Sequence, residues 1–168
     1  SVGPGATNMV TAAGVAHANR LPLLLLAGDT FHSRLPDPVL QQVEHFDEPS
    51  TTVNDAFRSV TRYWDRITSP AQLLSSLPHA IETMLDPADC GPAFLGLPQD
   101  VQAQAFDWPV AFFETRVHGI SRPRAATAQL ADAAATIASA QKPLIICGGG
   151  VHYSFAEAEL QRFAETHN

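Results

Sequence analysis

Lysine is almost missing from this sequence. Nine of its ten basic side chains are arginine, Lys142 is the exception, and all ten are scattered along a chain of formal net charge −7. A nucleic-acid surface needs clustered basic side chains, so that class of partner is excluded. Cysteine is also scarce. Cys90 and Cys147 are far apart, each beside an expected strand, and read as two buried reduced thiols of a cytoplasmic protein, with no disulfide or metal site. Long apolar runs are lacking too. The longest, Leu21–Ala27, is far too short to span a membrane, and no secretory signal is read. No G-x-S-x-G nucleophile elbow occurs, and no His pair has metal-ligand spacing. Spacing alone therefore assembles no catalytic set.

What is present is enough for a folded core. With 168 residues, 45% of them hydrophobic, the chain can bury roughly 70% of its unfolded surface. Three segments share one pattern: LPLLLLAGD, GPAFLGLPQD and KPLIICGGG. Each opens on Pro, which costs no ladder bond at a first strand position. Each continues as an unbroken apolar run, the mark of a strand buried on both faces. A further strand is expected near Ser59–Trp64. Helical patterns alternate with these runs. Thr7 or Asn8 is expected to cap a helix reaching Ala18, with Val10, Ala13, Gly14 and His17 on one small face. His17 there reads as a satisfied interior residue. Ser69-Pro70 reads as the start of a helix with Leu73, Leu77, Ile81 and Met84 inward, kinked at Pro78. Arg124–Ala140 should place Leu130 and Ile137 inward, and Ser154-x-x-Glu157 reads as a capping box for a last helix with Leu160 and Phe163 inward. This alternation predicts an α/β fold: a mostly parallel sheet flanked by helices, made of two partial Rossmann-like domains.

Two stretches depart from the pattern. Residues 31–54 form a long polar connection, with a short helix expected over 38–45; connections of that length are usually functional. Residues 107–123, rich in Pro and aromatics, read as a linker between a domain at 1–106 and a second at 124–168. Both chain ends fall inside α/β units, so the sequence reads as an internal piece of a longer chain. Such a piece exposes sheet edges and apolar faces and is expected to self-associate.

Two glycine turns are candidate ligand sites. Gly3-x-Gly5-x-x-Asn8 is one residue from a dinucleotide fingerprint, and Asp29 ends the next expected strand, where such folds keep a ribose-binding acid. Pro4, however, offers no N–H, so a plain tight turn before a capped helix accounts for the sequence equally. Gly148-Gly149-Gly150 would let a pyrophosphate approach a helix start, or is simply a permissive turn.

The ordered set SVGPGATN, ANRLPLLLLAGD, GPAFLGLPQDVQ and RP…KPLIICGGGV resembles the thiamine-diphosphate-dependent enzymes of the acetohydroxyacid synthase and pyruvate oxidase type, over essentially the whole chain. The connection DPVLQQVEHFDEPSTTVNDAFRSVTRYWDRI is most similar to that of the hydrolases of inositol catabolism that open a cyclic polyol dione. The resemblance implies that residues 1–106 are the C-terminal half of a pyrimidine-binding domain and 124–168 the N-terminal half of a central domain. It implies thiamine diphosphate and Mg²⁺ in the full-length protein, and a ring carbon–carbon bond hydrolysed to give 5-deoxy-glucuronate. It places Pro4 and Asn8 beside the thiazolium and aminopyrimidine. Asp29 stands where the synthases carry Gln, so it contacts either cofactor or a substrate hydroxyl. His32, Arg34, Gln41 and Gln42 follow it, either as candidate donors to the substrate or as side chains that only solvate a surface loop. The activating Glu and the Gly-Asp-Gly metal motif of the family are absent from these residues, so the chain alone is expected to be inactive and to hold no cofactor. The alternatives are a synthase-like enzyme, or a non-catalytic nucleotide-binding or assembly module.

Overall fold

A computed structural model of the chain describes residues 1–36, 39–43 and 45–167. They form two compact units, Ser1–Ile120 and Ser121–Asn168.

The first unit is α/β. Strands β1 (Leu23–Asp29), β2 (Tyr63–Arg66) and β3 (Pro92–Pro98) form a parallel sheet in the order β1-β3-β2. β3 is central, with Leu25 opposite Phe94 on one side and Trp64 opposite Phe94 on the other. Its Ala93, Phe94 and Leu95 are fully buried, as its unbroken apolar sequence requires. The Ser59–Trp64 expectation is shifted. Residues Val53–Ser59 wind as a 3₁₀ helix and the strand starts only at Tyr63.

Helices cover both faces. α1 (Pro4–Thr7) and α2 (Met9–Asn19) lie on one, where Ala6 and Ala13 pack with Leu25, Ala27, Phe57 and Phe94. Phe57 stacks on Phe94 with centroids 4.4 Å apart, a contact contributing about 1 kcal/mol beyond its buried area. The helix begins earlier than expected, because Gly3 takes φ 56°, ψ −130° and Pro4, with its fixed φ, opens the first turn. Neither Thr7 nor Asn8 caps it with a side chain; the Thr7 hydroxyl donates back to the Pro4 carbonyl at 2.7 Å. His17 is half-buried and its Nδ1 has no partner, so it is not the satisfied interior residue expected. On the other face α3 (Leu73–Leu85) packs Leu73 and Leu77 against Ile67, Leu95 and Val101, and it runs on through Pro78. Ser69 gives no side-chain cap. α4 (Gln99–Gln102) follows β3 directly and supplies Val101. The helix expected over 38–45 falls partly on Pro38 and Glu44, which lie outside the described residues; residues 39–43 form turns.

The second unit holds α5 (Thr127–Ser139), α6 (Gly149–Tyr153) and α7 (Glu157–Thr166). Pro143–Cys147 forms no strand among the described residues. A strand exists only through hydrogen bonds to a neighbour, and none lies beside this segment; Leu144 and Ile146 stand 84% and 89% exposed. Leu130, Ile137 and Phe163 are likewise exposed rather than inward. Cys147 shares this exposure, against the expectation of two buried thiols. Cys90 is buried with its Sγ 3.1 Å from the Met84 carbonyl, and neither cysteine is in a disulfide. α7 starts after Ala156, not Ser154, and Glu157 accepts from His152 Nδ1 at 2.7 Å.

Candidate functional site

The connections leaving neighbouring strands β1 and β3 diverge. The one from β1 carries Phe57 into the core under α2, while the one from β3 carries Val101 into the core under α3. Divergence of this kind opens a crevice beyond the carboxyl ends of a parallel sheet, where such folds bind ligands.

Asp29 ends β1 at this crevice. Its side chain is 1% exposed, and its Oδ2 accepts from Arg66 Nε at 2.7 Å. Oδ1 accepts the Thr30 N–H at 2.8 Å. Arg66 ends β2 and also donates from Nη2 to Asp55 Oδ2 at 2.7 Å and Thr52 Oγ1 at 2.9 Å, and from Nη1 to the Ser50 carbonyl at 3.0 Å. Burial pulls the Arg66 pKa down, but its bonds to Asp29 and Asp55 outweigh that and hold it above its ordinary value. Burial pushes the Asp55 carboxyl up; the Thr52 N–H and the Arg58 and Arg66 guanidinium groups outweigh it and hold it low. Thr52 and Asp55 form a reciprocal cap on the 3₁₀ helix, with the Thr52 N–H donating to Asp55 at 2.8 Å. Asn54 is fully buried; its amide donates to the Gly28 carbonyl at 2.9 Å while its Oδ1 has no partner.

The opening turn and the long connection meet here. The Gly28 N–H donates to the Ser1 carbonyl at 2.7 Å. A Cβ on Gly3 would stand 1.6 Å from the Gln41 carbonyl oxygen, so only glycine allows the connection to lie against the turn. At its start, the connection is pinned by Asp100, whose carboxylate accepts the His32 and Ser33 N–H groups at 2.8 and 2.9 Å. Burial pushes the Asp100 pKa up, but the Ser33 and His32 donors together outweigh it and keep it low. Between the two anchors is a cavity of about 190 Å³. Thr30, Arg34, Gln42, His45 and Thr52 line it with polar groups, and Phe31 and Phe46 add apolar surface.

The candidates named from sequence therefore separate. Pro4 and Asn8 are exposed on the turn. Asp29 is committed to Arg66. Arg34 and Gln42 share the cavity; His32 and Gln41 are not among its lining residues. Gly148–Gly150 open α6, a helix of five residues. Arg66, Asp55, His45 and Asp100 escaped the sequence reading. The Thr52-x-x-Asp55 capping signature was the one local signal; the others depend on contacts between distant segments. Among the described residues no group of three or more His, Cys, Asp or Glu could hold a metal ion. These residues thus do not fit as a metal anchor. Nor is any helix among them long and apolar enough to cross a membrane.

Residues 130–168 match the family model of the thiamine pyrophosphate enzyme central domain. Similarity to curated relatives extends over the whole chain. It is 52% identical over 168 residues to a 3D-(3,5/4)-trihydroxycyclohexane-1,2-dione hydrolase of Clostridium tetani, covering all of this chain and 26% of the relative. It is 52% identical over 166 residues to the protein of the same name from Bacillus cereus, covering 99% of this chain and 26% of that one. The chain spans about a quarter of the length of these curated relatives.

Proposed function

We propose that these residues serve in a thiamine-diphosphate- and Mg²⁺-dependent enzyme of the cytoplasm that hydrolyses 3D-(3,5/4)-trihydroxycyclohexane-1,2-dione. One observation carries this reading: 52% identity over 168 residues, all of this chain, to a hydrolase of that name. Water adds across the bond between the two carbonyl carbons; one becomes a carboxylic acid, the other an aldehyde, and the ring opens to 5-deoxy-glucuronate in myo-inositol catabolism. The cofactor supplies a carbon nucleophile for a carbonyl.

This chain's own residues have supporting tasks in that scheme. Residues 1–106 act as half of a pyrimidine-binding domain, with Pro4 and Asn8 on the exposed turn bordering the cofactor. Residues 107–123 link them to half of a central domain at 124–168. Asp29 and Arg66 hold the sheet ends in place, so Asp29 acts on the site through the fold. Partners are the cyclic polyol dione and further copies of the chain.

The test is ring opening by the full-length protein loaded with thiamine diphosphate and Mg²⁺, followed by mass spectrometry of the acid formed. Conversion of the dione to its ring-opened hydrate is expected. A loaded protein that leaves the dione intact overturns the assignment.

A further inference from the structure

We propose that Asp100 is a positioning residue for substrate binding, acting through the first residues after β1, Thr30–Arg34. This role rests on the hydrolase reading and goes beyond it, because it gives a task to a side chain that no motif marks. Asp100 Oδ1 accepts the His32 N–H at 2.8 Å, and Oδ2 accepts the Ser33 N–H at 2.9 Å. Each carboxylate oxygen takes one donor. An Asn side chain could accept from one of them and would confront the other with its own NH₂ group. His32 and Ser33 belong to no helix or strand. The two bonds therefore complete no regular element; they select one conformation for the way out of β1.

The neighbouring N–H groups are held too. Thr30 donates to Asp29 Oδ1 at 2.8 Å, and Arg34 donates to the Phe31 carbonyl at 3.2 Å. The N–H groups of Thr30, His32, Ser33 and Arg34 thus all have acceptors, three of them carboxylate oxygens. Arg34 itself sits at φ 56°, a left-handed value that side chains other than glycine seldom take. Such a backbone persists only where its surroundings over-determine it, and it gathers at ligand clamps and active sites. A stretch that merely met solvent would have water for its N–H groups and no left-handed residue to support. Asp100 is a firm base for the task. It lies between Pro98, which ends β3, and Val101, which is buried with Ile67 and Leu95. The Gln102 amide donates back to the Leu97 carbonyl at 2.6 Å. The exit that Asp100 fixes leaves β1 beside the carboxyl end of β3, its neighbour in the sheet, where parallel sheets bind ligands. Ordering those residues before the substrate arrives spares the entropy of ordering them on binding.

The test uses the full-length protein loaded with thiamine diphosphate and Mg²⁺, with the dione as substrate. Asp100→Asn should raise KM about tenfold, the cost of ordering two or three loop side chains on binding, and leave kcat unchanged. Asp100→Ser, a second variant without the paired acceptors, should behave alike. Asp100→Glu keeps both acceptors and should recover most of the affinity. Asp89→Asn breaks the Arg62–Asp89 pair ahead of β3, 3.2 Å long, and should keep the wild-type KM. It controls for lost stability, which thermal unfolding measures in every variant. Hydrogen exchange of peptides covering residues 30–34 in the cofactor-free protein gives a readout apart from turnover. Asp100→Asn should quicken that exchange. Unchanged KM or unchanged exchange in Asp100→Asn and Asp100→Ser, a fall in kcat at constant KM, or the same KM rise in Asp89→Asn overturns the positioning role while wild-type ring opening stands. Wild-type protein that leaves the dione intact overturns the hydrolase reading and this role with it.

Discussion

Arg66 Nε donates to Asp29 Oδ2 at 2.7 Å, joining the carboxyl ends of two outer strands that do not touch each other in the sheet. The pair spans the central strand at the place where Gly96 leaves room for it. Removing Arg66 leaves the Asp29 carboxylate, only 1% exposed, without its compensating charge, whereas Arg66 without Asp29 still pairs with Asp55. Arg66→Ala is expected to destabilise the full-length protein by about 3 kcal/mol, and Asp29→Ala by less. Urea unfolding of Asp29→Ala, Arg66→Ala and the double variant measures it. Additive losses in that cycle would show that the two side chains act independently.

Gly96→Ala tests the same arrangement from the opposite side. The new methyl would stand 3.0 Å from Asp29 Oδ2 and 3.4 Å from the Phe94 ring. Overpacking of this kind costs about 1–3 kcal/mol. The expected outcome is a lower urea midpoint with an unchanged slope.

Acid should weaken the first unit. Asp55 and Asp100 both titrate below the ordinary carboxylate value of 3.8 when folded. The unfolded chain therefore binds protons more readily than the folded one. The stability these groups contribute is fully present above about pH 5 and is lost as pH falls through their folded values. Asp100→Asn should flatten part of that dependence, which unfolding midpoints between pH 2 and 6 would reveal. An unchanged profile would mean that the His32 and Ser33 contacts do not persist in solution.

Residues 1–168 on their own are expected to bind thiamine diphosphate and Mg²⁺ weakly or not at all, and to self-associate through apolar surface such as Leu26, Leu130 and Ile146. Calorimetry and light scattering check this. Micromolar binding would place a diphosphate anchor within these residues, and a sharp monomer at high concentration would exclude the association.

Much of the first unit was legible because its core is written locally. β1 and β3 are unbroken apolar runs entered at Pro, and only strands buried on both faces tolerate such runs. β2 was harder. Tyr63–Arg66 is two aromatics followed by two charged residues, all four half-buried, so neither an apolar run nor an alternation marks it. KPLIICGGG has the same pattern as the other two runs yet forms no strand, because a ladder is made by two partners and a sequence pattern describes one. The site was less legible still. Asp29 looked like a ligand contact because it ends a strand, but its partner lies 37 residues on. The cavity is lined by residues at 30–31, 34, 36, 42, 45–46, 49 and 51–52, none of which forms a motif alone.

Gly3→Ala is expected to push the Gln41 backbone off the opening turn and lower the urea midpoint while leaving the sheet intact. Urea unfolding and circular dichroism of the full-length variant test the two halves of that statement.

The contact between Gly3 and the Gln41 carbonyl also bears on transplantation. The turn expected to border the cofactor and the loop expected to grip the substrate meet without a side chain between them, so they move as one part. Grafting this loop onto another enzyme of the group would transfer its selectivity only if the recipient keeps glycine at the matching turn position and a loop backbone that reaches it at the same point.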